Sequence, residues 1–186
     1  MNPASERAIV ISSLEAALEP LLKHPVSPLL IPPEGIPFGY ALRGARDSTG
    51  VAFVRIGTPH GCGATEPLCT VTFGMDEPVV RVILTVTKFN PAMRCAAMLP
   101  FSDRALAVLE EDLFLECASF SQSPARPGIS TMDWGIAFCC KEDVPDVIYE
   151  KNPGEELSRL YILGEDPADV ANNIIICSGR ILNSEL

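Results

Sequence analysis

The sequence has no apolar run long enough to cross a lipid bilayer. A spanning helix needs ~18 or more apolar residues in succession, whereas the longest candidate, Val79 to Val86, is interrupted by Arg81 and followed by Lys88. The amino end also lacks the basic start, apolar middle and small-residue cleavage site of a secretory signal, since Glu6 and Arg7 precede a helical pattern. We therefore expect no membrane insertion and a cytoplasmic location.

Positive charge is scarce. The chain has 14 Lys and Arg residues against 24 Asp and Glu residues, and its formal net charge is −10 at pH 7. A field of this sign repels a phosphate backbone unless a basic patch overrides it, and the longest basic cluster, Arg43 with Arg46, is followed at once by Asp47. We expect no nucleic-acid binding by this chain alone. A small anionic ligand stays compatible with the charge, because a pocket can be positive within an acidic molecule.

Cysteines at the Cys-x-x-Cys spacing are absent. The 7 cysteines form an odd set in a chain without an export signal, so free thiols are expected. Three of them lie in apolar stretches and are predicted to pack as small core residues, namely Cys95, Cys117 and Cys177. An alternative joins His60, Cys62 and Cys69 in a zinc site. Their spacing matches no compact zinc module and a fourth ligand is missing, so we favour a loop.

The amino-terminal part combines a helix with a proline-rich segment. Apolar residues at helical spacing predict an amphipathic helix from Ser5 to Lys23, with Ser5 as its cap. Prolines at five positions between residues 24 and 37 forbid a regular helix there, so this segment is predicted to run extended across the surface. We interpret residues 1–37 as part of one domain that spans residues 1–186.

The rest of the chain alternates β-prone runs with helical patterns. Predicted strands are Phe38–Leu42, Val51–Ile56, Leu68–Phe73, Ala96–Leu99, Phe114–Phe120, Asp146–Tyr149 and Arg159–Leu163. Predicted helices are Pro78–Phe89, Ser102–Asp112 with Ser102 as its cap, a helix that is capped by Ser130 or Thr131 and runs through Trp134 to about Cys140, and Asp166-Pro167 to about Cys177. Such interleaving is typical of layered α/β domains.

Four segments, in one order and with similar spacing over almost the whole chain, resemble a known family. They are Phe38 to Arg46; Leu84 to Ala96; Ala118 to Phe120; and Met132 to Ile136, which continues into Val144 to Tyr149 and Ile162 to Pro167. Each segment alone is weak evidence, but all four in order argue against chance. By these segments the chain resembles ThiN-type thiamine-phosphate synthases, including the C-terminal domain of bifunctional phosphomethylpyrimidine kinase/thiamine-phosphate synthase.

The resemblance implies a three-layer α/β/α sandwich with a mostly antiparallel mixed sheet, akin to the AraD-like class II aldolases. Within the matching segments most residues are interpreted as structural. Trp134 is predicted to be a large core anchor, and Asp146, at a strand entry, is predicted to accept backbone N–H bonds. Asp133 and Asp146 are also kept as candidate site carboxylates.

The resemblance implies a coupling of hydroxymethylpyrimidine pyrophosphate to hydroxyethylthiazole phosphate, which releases pyrophosphate and gives thiamine phosphate, with magnesium. Such a site has to stabilise several phosphate charges, and arginine, lysine, histidine or a metal ion suits that task. This chain lacks several of the cations that the resemblance leads us to expect.

The replacements share one direction. After Phe73-Gly74 the family has Ala-Ser-Arg-His, where this chain has Met75-Asp76-Glu77-Pro78. The family's Asn-Ile-Arg-Tyr-Ser corresponds to Met98-Leu99-Pro100-Phe101-Ser102, and its Asp-Arg to Ser121-Gln122. A Gly-Lys-rich turn is replaced by a segment that contains Glu155 and Glu156 and keeps only Lys151 as a cation. Because each charged hydrogen bond contributes ~1.5–3 kcal/mol, we expect weak pyrophosphate binding.

The cations left near the matching segments are Arg46, Arg55, Lys88, Arg94 and Lys151. Arg55 is the first choice for a retained phosphate contact, because the resemblance places an arginine in the second strand; the alternative is an exposed arginine at a strand end. The candidate ligand-binding set is Arg46, Arg55, Lys88, Asp133, Asp146 and Lys151. No catalytic residue is assigned.

Three hypotheses follow. We favour a catalytically degenerate ThiN-like domain that binds thiamine phosphate or a related phosphorylated heterocycle. The second is an active synthase that holds its phosphates with Arg46, Arg55, Lys88, Lys151 and magnesium on Asp76 or Asp146. The third is a structural or oligomer-forming module without a ligand. The expected partner is a small phosphorylated heterocycle, a homodimer is left open, and no cofactor is assigned outside the second hypothesis.

Overall fold

The strands and helices are those of a computed structural model that describes residues 3–57, 70–121, 131–150 and 158–184. The strands are β1 (Ile36–Ala41), β2 (Val51–Ile56), β3 (Thr72–Phe73), β4 (Cys95–Pro100), β5 (Cys117–Phe120), β6 (Val147–Glu150) and β7 (Arg159–Gly164). The α-helices are α1 (Pro3–Lys23), α2 (Pro78–Val86), α3 (Asp103–Ala107), α4 (Thr131–Cys139) and α5 (Pro167–Asn183). Short 3-10 turns cover Pro28–Leu30 and Ser48–Gly50, and a π-helical turn, Val108–Asp112, follows α3.

The strands form one sheet in the order β3-β2-β1-β4-β7-β6-β5. All neighbours in it run antiparallel except β5 and β6, which are parallel. The predicted mostly antiparallel mixed sheet is therefore confirmed.

Helices cover both faces of this sheet because successive side chains of a strand point to opposite faces. In β7, Leu160 and Ile162 belong to one apolar core and Tyr161 and Leu163 to the other. The first core also contains buried residues of α1, α3 and α5, and the second contains buried residues of α2 and α4. The predicted three-layer α/β/α arrangement is confirmed.

Local sequence fixes where several helices begin. The Asp166 carboxylate accepts the Ala168 N–H at 2.8 Å, and Pro167 occupies the first turn of α5, where its missing N–H costs little. Ser102 caps α3 in the same way, since its hydroxyl oxygen accepts the Ala105 N–H at 3.0 Å. Both caps agree with the prediction.

Other predicted boundaries are wrong. Ser5 is not a cap, because α1 begins at Pro3. The strand predicted from Phe114 begins at Cys117, since Phe114 takes a left-handed conformation with a φ of 55°. Of the strand predicted over Leu68–Phe73, only Thr72–Phe73 is a strand within the described residues, since Thr70 and Val71 are described but lie outside it.

Cysteines behave as predicted within the described part of the chain. Cys95, Cys117, Cys139, Cys140 and Cys177 are free thiols there. Burial raises the pKa of Cys177 to about 12. Burial is also the main reason why the pKa of Cys117 is raised to about 11, with a smaller contribution from nearby acids. The alternative metal ligands His60, Cys62 and Cys69 lie outside the described residues. In the described ranges no helix is long and apolar enough to span a bilayer.

The two ends of the sheet differ in what they carry. The upper end, as we call it, consists of Ile36, Ile56, Pro100, Phe120, Glu150 and Arg159, which the strand register brings together. The lower end consists of Ala41, Val51, Cys95, Cys117, Val147 and Gly164. Six-residue strands such as β2 separate these ends by roughly 17 Å.

Gly135 allows α4 to approach the sheet, and we expect Gly135→Ala to destabilise the fold. A Cβ at this position would lie 2.1 Å from Cδ2 of Phe120. Overpacking of a core costs ~1–3 kcal/mol, which exceeds the ~1 kcal/mol that alanine gains over glycine in a helix. Urea denaturation should therefore give a lower free energy of unfolding.

Gly179→Ala in α5 is the matched control. A Cβ there meets no atom within 4 Å, so this variant should gain ~0.5–1 kcal/mol. Equal stabilisation by both substitutions would contradict the packing account.

Candidate functional site

Charged side chains gather at the upper end of the sheet, on the face covered by α2 and α4. Alternation from Phe53 places Arg55 on that face, and alternation from Tyr161 places Arg159 there. Glu150 follows from Ile148 in the same way and is 2% exposed. We call the space between these residues and the amino ends of α2 and α4 the upper cleft.

Arg55 forms an ion pair with the residue that precedes α2. Its Nη2 atom lies 2.8 Å from Oε2 of Glu77, and both side chains are partly buried, with 31% and 20% of their surface exposed. A second carboxylate, that of Glu34, lies 3.8 Å from Nη1 and is 81% exposed. The guanidinium also lies 5.5 Å from the Phe53 ring centre. Glu77 occupies the N-cap position of α2, yet its side chain makes no cap hydrogen bond.

Arg81, on the first turns of α2, is held by Asp76. Its Nε and Nη2 atoms donate to the two carboxylate oxygens of Asp76 at 2.8 and 2.7 Å. This bidentate bond raises the pKa of Arg81, and the more distant carboxylate of Asp133 on α4 adds to the rise. Asp133 therefore lies near enough to Arg81 for its charge to act on it.

Tyr161 lies on the floor of the cleft between α4 and Arg159. It is fully buried, and its hydroxyl lies 3.8 Å from Sδ of Met132 on α4. The pKa of Tyr161 is raised to about 12, mainly by burial; the charge of Arg159 opposes this rise, and Glu150 adds to it. Arg159 is half-buried.

The amino ends of α2 and α4 both border this cleft. Contact between Glu77 and Arg55 fixes the start of α2 there, and contact between Met132 and Tyr161 fixes the start of α4. A helix amino end carries roughly half a positive charge. Among the residues that the structure describes, the cleft therefore combines three guanidinium groups and two helix dipoles with several carboxylates.

The structure does not bring the candidate set together. Arg55 and Asp133 border the upper cleft, and Lys151 lies outside the described residues. Arg46 and Lys88 are exposed in the turns that follow β1 and α2, towards the lower end.

Asp146 immediately precedes β6, also at the lower end. Its carboxylate accepts the Glu116 N–H at 2.9 Å, and its own N–H donates to the Glu116 carbonyl at 2.9 Å. These bonds tie the entries of β5 and β6 together. The second hypothesis places magnesium on Asp76 or Asp146, and neither carboxylate fits it. Asp146 lies at the lower end, and both Asp76 oxygens are bonded to Arg81.

Two further residues have structural contacts. Arg94 donates to the Ala41 carbonyl at 2.9 Å and to the Tyr40 hydroxyl at 2.7 Å, so it joins β1 to the turn before β4. The prediction that Trp134 is a core anchor is wrong. Trp134 is 61% exposed and stacks on Phe138, one helical turn further along α4. The buried positions of α4 are taken by Met132, Ile136 and, against the Phe120 ring, Gly135.

Sequence reasoning missed Arg81, Glu150, Tyr161 and Arg159. Glu150 and Arg159 could have been found as charged residues at the ends of apolar strands. The polar side chains of a buried sheet lie at such positions. Which strand ends lie next to each other depends on the order of the strands in the sheet, and that order cannot be read from the sequence.

The sequence matches one protein family over most of its length. The model of the family described as thiamine-phosphate synthase ThiN matches residues 13–176. The bifunctional thiamine biosynthesis protein ThiDN of Methanocaldococcus jannaschii is 31% identical over 106 residues, which cover 56% of this chain and 25% of that protein. The match thus spans about a quarter of the relative.

Two solved structures superpose on almost the whole of this chain. The C-terminal domain of protein MJ0236 superposes with a TM-score of 0.80 and 26% identity, over 95% of this chain and 97% of that one. The C-terminal domain of phosphomethylpyrimidine kinase gives 0.76 and 26%, over 92% and 100%. An aldolase II superfamily protein from Pseudomonas syringae, at 10% identity and 0.51, covers 100% of this chain and 79% of that one and shares the fold.

Asp146→Ala tests the structural role of that carboxylate. The variant loses the bond from the Glu116 N–H, and we expect the free energy of unfolding to fall by ~1–2 kcal/mol. Glu142→Ala, an exposed carboxylate in the same connection, should change it by less than ~0.5 kcal/mol. Equal stability of the two variants in urea denaturation would refute this role.

Proposed function

This chain belongs to the thiamine-phosphate synthase ThiN family, and we propose that it binds thiamine phosphate or a related phosphorylated heterocycle without catalysing the coupling that releases pyrophosphate. The family match and the shared fold support an inherited cleft. The charges inside the cleft support the loss of the coupling reaction.

The Arg55–Glu77 ion pair carries this proposal. A carboxylate oxygen 2.8 Å from the guanidinium occupies the position that a phosphate oxygen would need. A pyrophosphate group at Arg55 would have to displace Glu77, at a loss of ~1.5–3 kcal/mol for that charge-assisted bond. The displaced carboxylate would still lie near the ligand and repel it.

Arg81 supports the same conclusion. Both carboxylate oxygens of Asp76 bind its guanidinium, so its charge is also compensated. This pair is exposed, since 49% of the Arg81 side chain and 75% of the Asp76 side chain are accessible, and it contributes at most ~1 kcal/mol. It therefore resists a competing phosphate less strongly than the partly buried Arg55–Glu77 pair.

With Arg55 and Arg81 compensated by carboxylates, the remaining positive charge of the cleft suits a single phosphate group. The amino ends of α2 and α4 attract one anionic group, whereas the coupling reaction would require the cleft to bind a pyrophosphate and a monophosphate together. Stabilisation of the departing pyrophosphate is the main task of such a site. With Arg55 bound to Glu77, the cleft retains binding of one phosphate ester and loses that task.

Calorimetric titration with thiamine phosphate and with pyrophosphate, each with and without magnesium, tests the proposal, followed by a product assay with both half-substrates. We expect saturable binding of thiamine phosphate, weak binding of pyrophosphate and no thiamine phosphate formed. Turnover that is lost in Arg55→Ala would overturn the degenerate assignment, and absence of any binding would favour a structural module.

Glu77→Gln should restore pyrophosphate binding in part. The substitution keeps the shape of the side chain, removes the charge that holds Arg55 and removes a repelling anion. We expect the affinity for pyrophosphate to rise roughly tenfold, the equivalent of ~1.4 kcal/mol. Isothermal titration of the two proteins measures this change.

Glu34→Gln is the control for that variant, because its carboxylate is exposed and 3.8 Å from the same guanidinium. Its effect on pyrophosphate affinity should stay below about twofold, since exposed pairs of this kind contribute little. If both variants, or neither, raised the affinity, Glu77 would not be the residue that blocks Arg55.

A further inference from the structure

Arg159 differs from Arg55 and Arg81, the other arginines described in the upper cleft, because its neighbour is not a carboxylate. Arg55 is bound to Glu77, and Arg81 is bound to Asp76. Arg159 instead lies near the hydroxyl of Tyr161, whose pKa its charge lowers. Within the described ranges no carboxylate lies within 4.0 Å of the Arg159 guanidinium, so its charge is not neutralised by direct contact with an acid there.

Tyr161 is the nearest residue of β7 that shares a face of the sheet with Arg159. Both residues belong to β7 and lie two positions apart, so they point to the same face of the sheet. The Tyr161 ring is fully buried, and its hydroxyl also contacts Met132 at the start of α4. Because burial raises the pKa of Tyr161 to about 12, the hydroxyl is neutral at pH 7 and leaves the arginine charge intact.

The surroundings limit how much negative charge this position accepts. Glu150 is 2% exposed and close enough to raise the pKa of Tyr161. Asp133 faces the same cleft from α4. With two carboxylates nearby, a second phosphate group would be repelled, whereas the first has a guanidinium and the amino end of α4 to bind.

We propose that Arg159 is the residue that binds the phosphate group of the ligand, positioned by Tyr161, and that it selects a phosphate monoester over a pyrophosphate. This inference rests on the proposed function, since it names the residue through which that binding occurs. Nothing in the matching segments singles out Arg159, because its assignment comes from the strand register and from the partners of the other arginines.

Comparison of two ligands, thiamine phosphate and thiamine, tests the inference by isothermal titration. Arg159→Gln should lower the affinity for thiamine phosphate roughly tenfold to a hundredfold, as expected for a lost charged hydrogen bond. Its affinity for thiamine should stay within about twofold. Tyr161→Phe keeps the buried ring and removes the hydroxyl, so it should lower the affinity for thiamine phosphate roughly threefold to tenfold and leave thiamine unaffected.

Arg180→Gln is the matched control, since Arg180 is exposed on α5, on the opposite face of the sheet, and lies 3.9 Å from Asp112. It should change neither affinity, and circular dichroism should show all variants folded. If unmodified protein binds thiamine phosphate and Arg159→Gln binds it equally well, or loses both ligands in parallel, Arg159 is not the phosphate residue and the proposed function stands. If unmodified protein binds neither ligand, both proposals are wrong.

Discussion

Burial of both faces of the sheet is the constraint on which the rest of the molecule depends. Six consecutive residues of β1 are buried, and β2 and β7 are buried except towards their ends. A sheet covered on both sides has no central position for a charged side chain. Within the described strands, charged side chains are therefore confined to the strand ends. Arg55, Glu150 and Arg159 are such strand-end residues, and α2 and α4 contribute Glu77 and Asp133.

The chemistry of the upper cleft follows from how these confined charges pair. In a cleft that has to stabilise phosphate, the guanidinium groups must be available to the ligand. Here Arg55 has a carboxylate from its own chain at 2.8 Å, and Arg81 has both oxygens of another. The cleft is therefore close to charge balance in its described part. We assign the binding of a monoester to Arg159, the arginine of this described part that has no carboxylate within 4.0 Å, and little surplus charge is left there for a departing pyrophosphate.

Sequence reasoning recovered the layers and most elements because these depend on local patterns. The strand Val51–Ile56 was predicted with its observed bounds, and the caps Ser102 and Asp166 were predicted from residue type and spacing. Trp134 failed because its size suggested burial, whereas the register of α4 turns it outward. Arg46 and Lys88 were chosen for their nearness to matching segments, which does not reveal the end of the sheet to which a turn belongs. The Arg55–Glu77 pair joins residues 22 positions apart and required the fold.

A crystal structure of the protein grown with pyrophosphate and magnesium tests the central claim most directly, because it shows what the Arg55 guanidinium binds when a polyanion is present. We predict that the Arg55–Glu77 pair persists at the distance seen here and that no diphosphate lies between Arg55, Arg81 and Arg159. A diphosphate bridging these arginines, with Glu77 turned away, would contradict the account.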